Sequence, residues 1–186
     1  MKKGFTMIEL IFVIVILGIL AAVAIPRLSA TRDDAEAVKA ATNLSTIISD
    51  LGAYYTSQGA FSSELSQMTN VQLTATQKGA DDGDGAQGNL AAAGIDCLKV
   101  VLHKENPINE TVVNSGKPAY IAVTALNTDK PMCKKIHSMG SIDKILKGKF
   151  SYSGVTTAKT SSKAAVIGNV ESNLGEFAVS GMGVKF

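Results

Sequence analysis

The hydrophobic pattern divides the chain at Pro26. From Phe5 to Ile25 the residues are apolar almost without a break, and the one charge among them is Glu9. A helix of about 20 apolar residues crosses a bilayer, so this stretch is long enough to span one. A carboxylate carried into lipid costs roughly 2.5–3.5 kcal/mol on insertion scales. A partner charge is the simplest compensation, which makes Glu9 a candidate functional residue. Snorkelling of its side chain to the interface is the plainer alternative.

Pro26 removes a backbone donor and predicts a kink or local loosening, but not a stop. Charged residues begin immediately after it, at Arg27, Arg32, Asp33, Asp34, Glu36 and Lys39. From there small and apolar residues recur at Ala37, Ala41, Leu44, Ile48, Leu51 and Tyr55, a single seam at helical spacing. Two alanines in the seam and no charge ladder beside it favour packing on a sheet over a coiled coil. Gly59 fits the left-handed residue that ends a helix. The expectation is one helix from Phe5 to about Gln58, about 80 Å long.

The rest of the chain, 59–186, reads as one globular head. Phe61, Leu65 and Met68 suggest a short helix, and the Gly/Asp-rich run at 77–94 reads as a surface loop. Strands are expected over 96–103, 118–126, 150–153 and 176–180, with 184–186 extending the last. Met139 to Lys147 suggests a helical turn. Helix first and strands afterwards predicts an α+β architecture, the long helix packed on an antiparallel sheet.

Composition narrows the function. The chain has 186 residues, enough for one domain and an appended element. A net charge of +2 and the lack of a long basic block give no electrostatic case for nucleic acid. Lys134, Lys135, Lys144, Lys147 and Lys149 form the one basic concentration worth testing. Aromatic residues make up 5% and tryptophan is absent, which argues against a stacking platform. The two cysteines, Cys97 and Cys133, have no clustered histidines, so they make a poor zinc site. In an oxidising compartment they read as one disulfide, and elsewhere as two buried thiols.

No catalytic constellation emerges. His103 and His137 are isolated, no G-x-S-x-G elbow occurs, and Gly148-Lys149 lacks the upstream glycine of a P-loop. Gly83 to Gly88 spells G-x-G-x-x-G, but no strand precedes it and Asp81, Asp82 and Asp84 would repel a pyrophosphate. Those acids are a weak Ca²⁺ candidate, because no register places carboxylates at the spacing of a Ca²⁺ loop. A solvated turn is the simpler reading. No cofactor and no enzymatic activity are expected.

The run Gly4-Phe5-Thr6-Met7-Ile8-Glu9-Leu10, behind a short cationic Met1-Lys2-Lys3, resembles the class III signal of the type IV pilin family. That family includes pilins and the pseudopilins of type II secretion. The resemblance implies a leader at 1–4, cut between Gly4 and Phe5 by a prepilin peptidase that then methylates Phe5. It further implies a membrane and fibre-core helix at 5–26, continued by an amphipathic segment at 27–58. Glu9 matches the family's glutamate, which meets the new amino terminus and sets the register of an incoming subunit. Pro26 matches the proline that many members carry after the apolar run. Implied partners are like subunits in a helical filament, an inner-membrane assembly platform and lipid. The implied location is the bacterial inner membrane, amino terminus cytoplasmic and head periplasmic, with the filament in the periplasm or at the cell surface. Some major pseudopilins bind Ca²⁺ in a loop. The family often has a disulfide, usually nearer the carboxy terminus than Cys97 and Cys133. The expected function is a filament subunit, a type II secretion pseudopilin before an adhesive or DNA-uptake pilin. An anchored binding or enzymatic domain with an uncleaved signal is the alternative from another class.

Overall fold

The computed structural model describes residues 6–81 and 83–180. Gly4, Phe5, Asp82 and the expected strand extension at 184–186 lie outside the described residues. The chain divides into two compact units, Met1–Glu36 and Ala37–Phe186.

Helix α1 runs Met7–Gln58, with Pro26 inside it. It ends as expected at Gly59, whose φ of +74° is readily adopted only by glycine and whose N–H donates to the Tyr55 carbonyl at 2.8 Å. In the second unit its buried side chains are Ala37, Ala40, Leu44, Ile47 and Leu51. The buried seam is therefore rotated slightly from the expected one, with Ala41, Ile48 and Tyr55 half-buried on its flank. Sheet packing, which covers a wide stripe, accounts for both rows.

Five strands form one antiparallel sheet: β1 Thr74–Gln77, β2 Gln87–Ala92, β3 Ile95–His103, β4 Tyr120–Ala125 and β7 Glu176–Ala178. Their order is β1-β2-β3-β4-β7. Leu98, Val100 and Leu102 on β3 and Ile121 and Val123 on β4 alternate inward and join the helix side chains in one core. The architecture is α+β and pilin-like, the long helix packed on an antiparallel sheet. Between β4 and β7 the chain inserts α2 Pro131–His137, α3 Gly140–Lys147 and a separate hairpin, β5 Ser151–Thr157 with β6 Val166–Glu171.

The segment 77–94 is not a loop throughout, because strand β2 occupies its second half. Its buried positions among the described residues are Gly83, Ala86, Gly88, Leu90 and Ala92, mostly too small to register as hydrophobic. The size is required. A Cβ on Gly88 would sit 3.0 Å from Leu65 Cδ1 and 3.1 Å from Leu73 Cδ1. Around Phe61 to Met68 the expected helix is only a 3-10 turn at Leu65–Gln67.

Candidate functional site

The amino-terminal segment carries the strongest functional features. Helix α1 starts at Met7 because Thr6 caps it. The Thr6 N–H donates to Glu9 Oε2 at 2.8 Å and its hydroxyl donates to the same oxygen at 2.7 Å. The Glu9 N–H in turn reaches Thr6 Oγ1 at 3.4 Å, and the Leu10 N–H closes the first turn on the Thr6 carbonyl at 3.2 Å. This is a capping box, in which two otherwise unpaired donors are satisfied by side chains. The T-x-x-E spacing announced it, yet sequence reasoning weighed Glu9 alone and missed Thr6. Gly4 and Phe5, where cleavage and methylation are expected, immediately precede the cap.

Behind the cap the apolar side chains are exposed. Phe12 is 67% accessible, Ile14 59% and Ile25 65%. Between Glu9 and Arg27 the helix has no charge. A contiguous apolar surface of this extent marks an interaction with lipid or with other helices. By length and composition this is a helix able to cross a membrane. The helix continues through Pro26, which leaves the Ala22 carbonyl without its helical donor.

On the head, Cys97 and Cys133 are joined in a disulfide, and both are fully buried. The bond does not link adjacent strands. Cys97 lies on β3 and Cys133 on α2, whose start Pro131 marks at the first helical position. His137 Nε2 lies 2.7 Å from the Cys97 carbonyl, so that nitrogen carries the proton.

Asp81 is exposed, and Asp84 Oδ1 accepts the Lys104 N–H at 3.1 Å while lying 3.5 Å from His103 Nδ1. Among the described residues no three His, Cys, Asp or Glu side chains converge for a metal. The basic concentration is partly neutralised. Lys147 pairs with Asp143 at 2.7 Å and Lys149 with Glu171 at 3.4 Å, whereas Lys134 and Lys144 are exposed. A surface groove of about 500 Å³ beside α1 has Asp50 as its one charged lining residue, and that carboxylate accepts from Thr69 Oγ1 at 2.7 Å.

A buried polar cluster was invisible to sequence reasoning. Lys117 Nζ lies 2.6 Å from Glu176 Oε2, with side chains 15% and 7% accessible. The Asn173 N–H donates to the same oxygen at 2.9 Å and its amide to Oε1 at 3.1 Å. Lys117 also sits 3.7 Å above the Tyr120 ring, which stacks on His103. Burial, with Glu176 and Asp84 adding, pushes the Tyr120 hydroxyl up to about 12. The cluster is satisfied internally and fastens β7 beside β4.

These features define a class: an α+β head on a helix that carries a membrane-length apolar segment, with a capped start and an acid inside its first turn. The family model for the prokaryotic N-terminal methylation motif matches residues 1–25, and this match supports the type IV pilin-like family. No curated protein and no solved structure matches the chain. The class III prepilin signal implies processing by prepilin peptidase and assembly among pilin-like subunits. Together with the apolar helix it points to membrane anchoring.

Proposed function

We propose that the protein is a structural subunit of a type IV pilus-like filament, and specifically a pseudopilin of a type II secretion system. The observation that carries this is the prepilin signal running directly into an unburied apolar helix with Glu9 in its first turn. Cleavage frees a cationic amine at Phe5, four residues before Glu9 in the sequence. Amine and carboxylate then compensate each other in lipid, within one chain or between neighbours in the fibre. Bundled apolar segments form the fibre core, and the heads form its outer surface.

Lys2 and Lys3 favour a cytoplasmic amino terminus. The buried disulfide favours an oxidising compartment, the periplasm, for the head. The pseudopilin assignment rests on the cysteines, since the chain has two and they pair in the middle of the head. The head supplies structure and contacts, not catalysis.

The test is the mass of the mature amino terminus. A chain that begins at N-methyl-Phe5 is expected, and an intact Met1 or a cut after Ala24 overturns the reading. A deletion strain assayed for protein secretion, surface fibres and DNA uptake separates a pseudopilin from a pilin. Loss of secretion alone is the expected phenotype.

A further inference from the structure

We infer that the outer edge of β6 is a pairing site for a second copy of this chain: two heads join through an antiparallel β6–β6 ladder centred on Ile167. The pairing needs only the head, so it stands or falls separately from the filament reading.

A strand at the rim of a sheet leaves a row of N–H and C=O groups unpaired, and native folds blunt such rims with bulges, charge, proline or shortness. The other rims of this head are managed in that way. Strand β1 has four residues, its pairing with β2 shifts between Thr74 and Gln77, and Ala75 between them has a φ of +46°. Strand β7 has only three residues. The far side of β5 is covered by Asn114, whose N–H donates to the Val155 carbonyl at 2.8 Å, and by Ser115, whose carbonyl accepts the Val155 N–H at 3.1 Å. Strand β6 has no such protection. Among the described residues it pairs with β5 alone, and the shift in that pair places the extra residue, Thr156, on β5. Strand β6 thus stays regular over six residues, Val166 to Glu171, with no proline and its one charge at the end. Val166 and Ile167 are successive, so they point to opposite faces, and they are 53% and 54% accessible.

The edge and its charges together identify the occupant. An open strand edge recruits another strand, and β6 is the one regular open edge among the described residues, so the edge that matches it is β6 of a second copy. The two-fold arrangement that continues the sheet is antiparallel. Lys163 and Glu171 lie four residues to either side of Ile167. A ladder that sets Ile167 opposite its own copy therefore sets each Glu171 opposite the other copy's Lys163. Opposite charges across a strand pair are favourable and like charges are not, and in this register no like charges face each other. Both groups are accessible for the purpose. Lys163, just ahead of β6, is exposed, and the Glu171 side chain stays 75% accessible although Lys149 lies 3.4 Å from it. Such a contact closes at two copies, so it adds to the contacts that build a fibre and does not replace them.

The experiment uses the purified full-length chain in detergent micelles, with one added cysteine and a mild oxidant. The native disulfide is fully buried and takes no part. Ile167→Cys places a thiol at the centre of the ladder, and Thr76→Cys places one on the exposed rim of β1 as the control for random collision. Ile167→Cys is expected to give a covalent dimer about tenfold faster than Thr76→Cys, as for thiols held together. Adding Glu171→Lys to Ile167→Cys is expected to slow the dimer by roughly three- to tenfold, and adding Lys163→Glu as well is expected to restore it. That restoration separates a contact between copies from loss of the Lys149–Glu171 pair within one chain. Absence of the Ile167→Cys dimer overturns the inference. So does an equal rate at Thr76→Cys, and so does a dimer that ignores both charge reversals or is not restored by the second.

Discussion

The apolar segment at the start of α1 and the sheet-facing segment near its end obey opposite rules. Near the start Ile14 is 59% accessible, and its neighbours on every side of the helix are similarly exposed. From Ala37 onward only one stripe is apolar, and Leu44 is fully buried in it. The first segment is suited to a partner the chain does not contain, lipid or the same segment of other copies. The second has found its partner in the sheet of the same chain. One continuous helix is thus left uncovered in one part and buried against its own chain in another.

The strongest way to break this comparison is Glu9→Ala. Membrane insertion is expected to be unchanged and filament assembly lost, read by membrane fractionation and by fibre yield. Unaltered assembly removes the role proposed for Glu9 between subunits.

Opening the disulfide comes next. Cys97 and Cys133 are 36 residues apart, and a closed loop of that size stabilises by about 4 kcal/mol on chain-entropy reasoning. Cys133→Ala is expected to lower the urea midpoint of the head accordingly. An unchanged midpoint would mean that β3 and α2 hold together without it.

Leu44→Ala and Ile14→Ala form a matched pair. The first deletes a fully buried side chain and is expected to destabilise the head by about 3 kcal/mol. The second changes a side chain outside the head and is expected to leave head unfolding within about 0.5 kcal/mol. Similar losses at both sites, in urea titrations of the full chain, would erase the distinction between the segments.

The smallest effect is the pH dependence that Tyr120 brings. Its folded pKa, about 12, lies above the ordinary tyrosine value of 10.0. Above pH 10 the unfolded chain ionises first and is favoured. Stability contributed by neutral Tyr120 is full below pH 10 and drains away as pH rises toward 12. Tyr120→Phe is therefore expected to flatten the fall in urea midpoint across that window, and an unchanged slope would assign the fall to other groups.

The two segments also differ in how far they can be read in advance. The apolar run, Glu9 and Pro26 are contiguous, and each carries its meaning with its neighbours. Strands β3 and β4 were legible for the same reason, as apolar runs bounded by turn residues. Strand β2 was not. Its inward face is Gly88, Leu90 and Ala92, with Ala86 buried just before it, and only the nearby Leu65 and Leu73 reveal why a small residue is needed at Gly88. Helix α2 announced itself only by Pro131, and β6 was hidden by Gly168 in mid-strand. The Lys117–Glu176 pair joins residues 59 apart, a separation no local pattern can encode.

The disulfide has one further consequence, for a molecule under load. A fibre pulled along its axis passes tension into its subunits, and a strand that peels away surrenders its contour length. The bond between Cys97 and Cys133 short-circuits the span between them, which holds most of β3 and all of β4. At about 3.4 Å per extended residue, roughly 120 Å of chain is thereby withheld from extension. With the bond closed, the two central strands cannot be drawn out of the head as thread.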